Sequence, residues 1–129
     1  MILGFKQQFK ESILTGRKKH TIREDKHNRW EHGKQIHFAT GVRTKNYKQF
    51  KSKKCVSVQD IEIIYNLNGE REMYNKGIWV LVDNIHINDF WLLELAYNDG
   101  FNSIEEFFKW FNKDFKGRII HWTDMRYNK

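Results

Sequence analysis

The chain has 129 residues, of which 40% are hydrophobic and 16% aromatic, and its formal net charge is +7. This length and bulk predict one domain over residues 1–129 with its own core, and they argue against disorder. The single cysteine, Cys55, excludes an internal disulfide and a multi-cysteine zinc site, and no apolar run is long enough to predict a membrane span. The start of the chain lacks the pattern of a signal peptide, so we expect a soluble, cytoplasmic protein.

The first third of the chain predicts a strand, a helix and a second strand. Residues 2–5 are mostly apolar and favour a short strand. Apolar residues then recur at helical spacing, at Phe9, Ile13 and Leu14. Gly16 is a natural stop for that helix. Ile36 and Phe38 alternate with polar residues, as in a strand with one buried face. Residues 40–54 are polar and basic and predict a loop or an exposed hairpin.

The middle of the chain is rich in β-branched residues. Residues 55–65 predict a strand, and the change of phase between Val58 and Ile61 predicts a β-bulge. Residues 67–70 predict a turn. A further strand is predicted over residues 78–87.

Two helices and a final strand are predicted at the end. Asn88 or Asp89 can cap the first helix, and Gly100 suits a left-handed cap at its end. We expect the apolar face of this helix to include Phe90, Leu93 and Tyr97. Residues 103–106 match a capping box. One face of the second helix is predicted to hold Ile104, Phe107, Phe108 and Phe111. A last strand over residues 118–127 completes an α+β order, whose strands could curl into a small barrel.

Residues 16–23 carry the densest chemical signal, with four permanent cations and a histidine around the hydroxyl of Thr21. Like charges this close oppose folding unless they are solvated or face an anion. Crowded cations also lower the pKa of a lysine, which could then activate a hydroxyl. The segment therefore predicts a phosphate-bearing or nucleoside-like ligand, with chemistry on that ligand as a further hypothesis.

Positive charge is concentrated in the first half of the chain. Residues 1–54 hold 15 Lys/Arg and 4 Asp/Glu, whereas residues 55–129 hold 8 and 12. A surface polarised in this way attracts nucleic acid through its phosphates. A solvated face that keeps the protein soluble is the alternative interpretation.

A set of motifs spans nearly the whole chain. They are ILTGRKKHTIR at residues 13–23, Trp30-x-x-Gly33, LAYNDGFNSIEEF at residues 95–107, IHW at residues 120–122, and Arg126-Tyr127. In these motifs the chain resembles the ASCH domain, a branch of the PUA-like β-barrel superfamily that is linked to RNA.

The resemblance implies a PUA-like barrel and several functions. Some small family members look like amidohydrolases that remove the acetyl group from acetylcytidine, with a Lys, a Thr and a Glu as the proposed catalytic group. It implies Lys18 as the base, Thr21 as the nucleophile, and Asp99, one methylene shorter than Glu, as the acid or orienting group. No metal or organic cofactor is implied. One branch of the family is linked to RNA cleavage, which leaves a metal-independent ribonuclease as an alternative.

A noncatalytic RNA-binding module is also consistent with these residues. In that case Thr21 is an ordinary strand residue, Lys18 and Arg23 bind phosphate, and Asp99 is a helix-end residue. Cations and aromatic side chains together suit unpaired RNA, because the rings stack on bases while the cations follow the backbone. The candidate binding residues are Arg17, Lys19, Arg23, Trp30, Lys45, Tyr47, Lys48, Phe50 and Lys51. The alternative for residues 45–54 is a hairpin whose aromatic residues pack back on the core.

Overall fold

The computed structural model describes residues 1–65 and 77–128, and these residues form an α+β fold. The eight strands are β1 (Ile2–Phe5), β2 (His20–Arg23), β3 (Gln35–Thr40), β4 (Lys48–Lys54), β5 (Ser57–Tyr65), β6 (Ile78–Val82), β7 (Ile85–His86) and β8 (Phe115–His121). The helices that lie wholly within the described residues are α1 (Gln7–Leu14), α2 (Asp89–Asn98) and α3 (Ile104–Trp110). The predicted α+β class is therefore confirmed.

The strands form two sheets. The first has the order β1-β3-β4, with β1 parallel to β3 and β3 antiparallel to β4. The second has the order β2-β8-β5-β6-β7 and is antiparallel throughout. Among the described residues these sheets do not close into a barrel.

One core joins the two sheets. The ring of Phe38 on β3 is stacked on Phe5 of β1 and meets Trp122, which follows β8, edge-on at 4.7 Å between centroids. The helices cover the same core through Phe9, Leu95 and Phe107, all of them buried. No helix among residues 1–65 and 77–128 has both the length and the apolar character to cross a bilayer.

The predicted ends of α2 and the predicted start of α3 are confirmed. The side chain of Asn88 accepts a hydrogen bond from the backbone of Trp91 at 2.9 Å. Gly100 ends α2 with a φ of +98°, a conformation that glycine adopts without steric cost. The Ser103 hydroxyl accepts from the backbone of Glu106 at 3.1 Å, which caps α3.

The predicted apolar face of α2 is wrong. Phe90, Leu93 and Tyr97 are exposed, and the helix packs instead through Leu92, Leu95 and Ala96. Nearly every side of α2 carries apolar residues, so periodicity alone does not select the buried face.

The predicted bulge in β5 is also wrong. β5 pairs with β8 in continuous register from Ser57 to Ile63. Its buried face alternates through Gln59, Ile61 and Ile63. The apparent change of phase arose because a polar side chain, Gln59, occupies an inward position. A register shift does occur in the pairing of β3 with β4, between Phe38 and Ala39.

Other predicted boundaries change more modestly. The strand predicted over residues 78–87 is a hairpin, because Asp83 and Asn84 both have positive φ, 52° and 68°, and turn the chain between β6 and β7. The hairpin alternative for residues 40–54 is confirmed by the antiparallel pairing of β3 and β4. The final strand begins and ends earlier than predicted, at residues 115–121. The turn predicted at residues 67–70 lies outside the described residues.

Candidate functional site

The backbone brings the cationic segment against the end of α2. After α1, the Lys18 amide donates to the Ser12 carbonyl at 2.9 Å, and the Lys19 amide donates to the Asn98 carbonyl at 2.7 Å. The chain then enters β2, the edge strand of the second sheet, which pairs antiparallel with β8. Two segments about eighty residues apart in sequence thereby meet at a fixed position.

Lys18 and Asp99 form a buried pair at this junction. The Lys18 ammonium nitrogen lies 2.5 Å from the Asp99 carbonyl oxygen and 3.3 Å from its carboxylate oxygen Oδ1. Only 2% of Lys18 is exposed. Burial lowers the pKa of Lys18, the Asp99 carboxylate opposes that shift, and the Arg23 charge adds to it. The lysine is therefore easier to deprotonate than one in water.

Glycine is required beside this lysine. A Cβ on Gly100 would lie 3.2 Å from Cδ of Lys18 and 2.9 Å from the ring of Phe9. With a φ of +98° as well, the position disfavours any other residue. The glycine that ends α2 also leaves room for the lysine stem.

A cavity of about 300 Å³ opens onto these groups. Its polar lining includes Lys18, Thr21, Arg23 and Asp99. Its apolar wall is formed by Phe5, Phe9, Ile22, Phe101, Trp110 and Phe111. The three residues implied as catalytic therefore share one small, mostly aromatic cavity.

Arg23 ties the Thr21 hydroxyl to the first sheet. Its Nε donates to Thr21 Oγ1 at 3.3 Å, and a terminal nitrogen donates to the Gly4 carbonyl at 2.7 Å. The guanidinium also lies over the Phe5 ring, 4.9 Å from its centroid. A cation held next to a hydroxyl favours the developing negative charge on that oxygen.

A buried network behind Asp99 was not predicted. His20 Nδ1 lies 3.0 Å from Asp99 Oδ1, and His20 Nε2 lies 2.7 Å from the Tyr127 hydroxyl. The Asn98 side chain donates to that hydroxyl at 3.2 Å. Burial lowers the pKa of His20 and raises the pKa of Tyr127. His20 and Tyr127 both belong to the resemblance motifs, but nothing in the sequence indicated that they touch.

Two of the predicted binding residues in the cationic segment, Arg17 and Lys19, lie away from the cavity. Arg17 stacks over Tyr97 at 4.2 Å and donates to the Phe101 carbonyl. Lys19 lines a separate groove together with Trp91 and Arg126.

Trp30 does not fit the predicted role of a stacking platform. Only 6% of it is exposed, and it belongs to the core. The Asp25 carboxylate accepts hydrogen bonds from the backbone amides of Arg29 and Trp30, at 2.8 and 3.0 Å, and so shapes the turn that turns the indole inward. A base cannot stack on a ring that is buried in this way.

The predicted basic hairpin is divided between exposed and packed side chains. Lys45, Tyr47 and Lys48 are exposed, with 44% of Tyr47 accessible. Lys51 is half-buried, and Phe50 packs on Phe38 at 6.2 Å between centroids. For Phe50, the alternative that the aromatic packs back on the core describes the structure better than a free stacking ring.

Among residues 1–65 and 77–128, no three His, Cys, Asp or Glu side chains come together in a group that could hold a metal ion. Comparisons of the chain with models of protein families, with curated proteins and with solved structures found no match.

Proposed function

We propose that this chain is an ASCH-type protein of the PUA-like superfamily that acts on RNA or on modified nucleosides, and that it removes an acyl group from a cytidine base. The observation that carries the proposal is the shared cavity of Lys18, Thr21 and Asp99, in which the lysine is almost fully buried. The sequence resemblance supplies the reaction class.

The cavity suits a flat, small group. Its volume of about 300 Å³ is at the lower end of ligand sites, which span about 300–1,000 Å³. The ring of Trp110, which is 44% exposed and lines this cavity, provides a surface for a planar base. A single acylated base fits these properties better than an extended ligand does.

The proposed reaction uses Lys18 as a general base and Thr21 as a nucleophile. The uncharged Lys18 amine takes the Thr21 hydroxyl proton while Thr21 Oγ1 bonds to the acyl carbon. The carbon–nitrogen bond then breaks, and the Lys18 ammonium returns the proton to the leaving base amine. Water hydrolyses the Thr21 ester, which releases the carboxylic acid and restores the hydroxyl.

Asp99 and Arg23 support these steps. Asp99 contacts the Lys18 nitrogen at 3.3 Å, so the shorter acid still reaches the lysine from the end of α2. We assign it the role of orienting the amine. Arg23, which donates to Thr21 Oγ1, stabilises negative charge on the reacting oxygens.

The test measures acetate release from acetylcytidine. We expect the wild-type protein to release acetate, and Thr21→Val and Lys18→Met to lower the rate by about 10²–10⁴-fold, since each removes a group that transfers or receives the proton. Lys19→Met is the matched control, because the neighbouring lysine lines a different groove. A wild-type protein that releases no acetate, or a Thr21→Val variant with full activity, would exclude this reaction.

A noncatalytic RNA-binding module is a second candidate, and the exposed lysines on β4 favour it. β4 is an edge strand of the first sheet, and its exposed lysines are Lys48, Lys53 and Lys54. Protein that binds single-stranded RNA without releasing acetate, and without cleaving the RNA in the presence of a chelator, would support this candidate. Cleavage that persists in chelator would instead support a metal-independent ribonuclease.

A further inference from the structure

One hydrogen-bond chain reaches the cavity from residues to which the proposed reaction gives no role. It links Asn98, Tyr127, His20 and Asp99 through contacts of 3.2, 2.7 and 3.0 Å. All four residues are buried, with His20 completely so. A polar chain this deep is costly unless each donor meets an acceptor, so its direction can be worked out.

The direction follows from what each group can do. A carboxylate only accepts, so His20 Nδ1 must donate to Asp99. In a neutral imidazole Nε2 then accepts, and the Tyr127 hydroxyl donates a hydrogen bond to it. The hydroxyl oxygen in turn accepts from the Asn98 amide. The environment therefore selects one tautomer of His20, with its proton on Nδ1.

We propose that His20 is a positioning residue that holds the Asp99 carboxylate and limits how strongly it stabilises the charged form of Lys18. The link between His20 and catalysis rests on the proposed function, whereas the effect of His20 on the charge of Lys18 does not. His20 would thereby set the pH at which the site becomes active.

Competition for one oxygen supports this role. Asp99 Oδ1 accepts from His20 at 3.0 Å and from Lys18 at 3.3 Å. The hydrogen bond to His20 restricts the positions that this oxygen can take toward Lys18, because both donors contact the same atom. Without the imidazole, the Asp99 carboxylate would be free to move closer to Lys18 and would stabilise the protonated form of the lysine.

The other titratable groups around this pair act in known directions. Lys18 faces Asp99, Arg23 and His20, and Arg23 disfavours the charged form of the lysine. His20 also faces His121, with ring centroids 5.2 Å apart, and Tyr127. Of these groups, Asp99 alone favours a charged Lys18. The position of the Asp99 carboxylate therefore controls how far the charged form of Lys18 is stabilised.

The first experiment needs no variant. Nitrogen-15 NMR of histidine-labelled wild-type protein at pH 7 should show His20 neutral, with the proton on Nδ1. The opposite tautomer, or an imidazolium, would overturn the proposal, because His20 could not then make the directed chain.

The second experiment compares two substitutions of the same shape. His20→Asn retains an amide donor near the place of Nδ1, whereas His20→Leu has none. We follow the titration of Lys18 by the carbon-13 chemical shift of its Cε. We expect the midpoint of this titration to rise by about one pH unit in His20→Leu. In His20→Asn it should stay near the wild-type value. His121→Gln is the control for a buried histidine that does not touch Asp99.

These measurements distinguish the inference from the proposed function. If the wild-type protein releases no acetate but the titration midpoint of Lys18 still rises in His20→Leu, the reaction is contradicted and the role of His20 is supported. An unchanged midpoint in His20→Leu, or equal shifts in His20→Leu and His20→Asn, would overturn the inference even in an active enzyme. In an active enzyme, the acidic limb of kcat/KM should move to higher pH in His20→Leu alone.

Discussion

Two lysine-bearing regions of the same basic half of the chain are opposite in environment. Lys18 lies in an aromatic cavity with 2% of its surface exposed, against Asp99. Lys48 and its neighbours on β4 stand on an edge strand in contact with water. In sequence both regions are runs of cations. Burial raises the free-energy cost of the charge on Lys18, whereas the exposed lysines of β4 stay solvated.

The comparison separates two meanings of positive charge. The solvated lysines act through long-range attraction, which depends on salt and hardly on exact position. A buried lysine can act through its proton, and the binding of that proton depends here on a few contacts of about 3 Å. The same residue type therefore suits polyanion binding in one place and acid–base chemistry in the other.

The largest difference should appear when carboxylates are removed. Asp99→Ala leaves the buried Lys18 charge without its carboxylate partner and His20 Nδ1 without its acceptor, so we expect a loss of about 3–5 kcal/mol in the free energy of unfolding. Urea denaturation measures this loss.

Asp60→Ala is the matched control on the surface. The side chain of Asp60 is 67% exposed and lies 3.5 Å from Arg118, so its removal should cost less than about 1 kcal/mol. Equal losses in the two variants would show that the Lys18–Asp99 pair is no more desolvated than a surface pair.

The second-largest effect is expected from acid, which should destabilise the buried region. Burial, with the charges of His20 and Arg126, lowers the pKa of His121 from 6.5 to about 3. Below pH 6.5 the unfolded chain binds a proton that the folded chain refuses, so stability falls as the pH falls from 6.5 toward 3. Between pH 7 and pH 5 the expected loss from His121 is about 2 kcal/mol. Burial shifts His20 in the same direction.

His121→Gln tests this acid effect. His121 Nε2 lies 3.0 Å from the Gln59 side-chain oxygen, and a glutamine amide can replace that donor without titrating. Urea midpoints at pH 7 and pH 5 should therefore differ less in this variant than in the wild type. Exposed His27→Gln should keep the full acid loss, and a similar flattening there would argue against a buried origin.

Local patterns were enough to predict the elements and their caps. Asn88, Ser103 and Gly100 stand at the predicted helix ends, because capping depends on a few neighbouring residues. The buried face of α2 and the inward position of Gln59 could not be predicted in this way. Both depend on what packs against the element, which only the tertiary structure supplies.

The candidate site was predictable in part, and only through the resemblance. No local rule connects Lys18 with Asp99, since their contact follows from the pairing of β2 with β8 and from the docking of residue 19 on the end of α2. Only the resemblance predicted that Lys18 and Asp99 belong to one site. His20 and Tyr127 were missed because a buried histidine and a tyrosine are common core residues, and their meeting needs coordinates.

The smallest effect on folding, and a clear effect on binding, is expected on the basic hairpin. Replacing Lys45, Lys48 and the half-buried Lys51 together by Gln should change the free energy of unfolding little, since surface substitutions usually contribute within about 0.5 kcal/mol each. If these lysines contact single-stranded RNA, the slope of log affinity against log salt should become shallower by about 2, because each phosphate contact contributes about 0.7. Fluorescence anisotropy with a labelled RNA oligonucleotide at several salt concentrations measures the slope.

Charge alone must be separated from position in that experiment. Lys109, Lys113 and Lys116 are three exposed lysines of the acidic half, and their triple Gln variant removes the same charge. Contact at the hairpin predicts a reduced slope only for the first triple variant, whereas general attraction predicts the same small loss for both. An unchanged slope in the hairpin variant would show that these three lysines do not contact RNA phosphates, and would contradict the proposed binding surface on the hairpin.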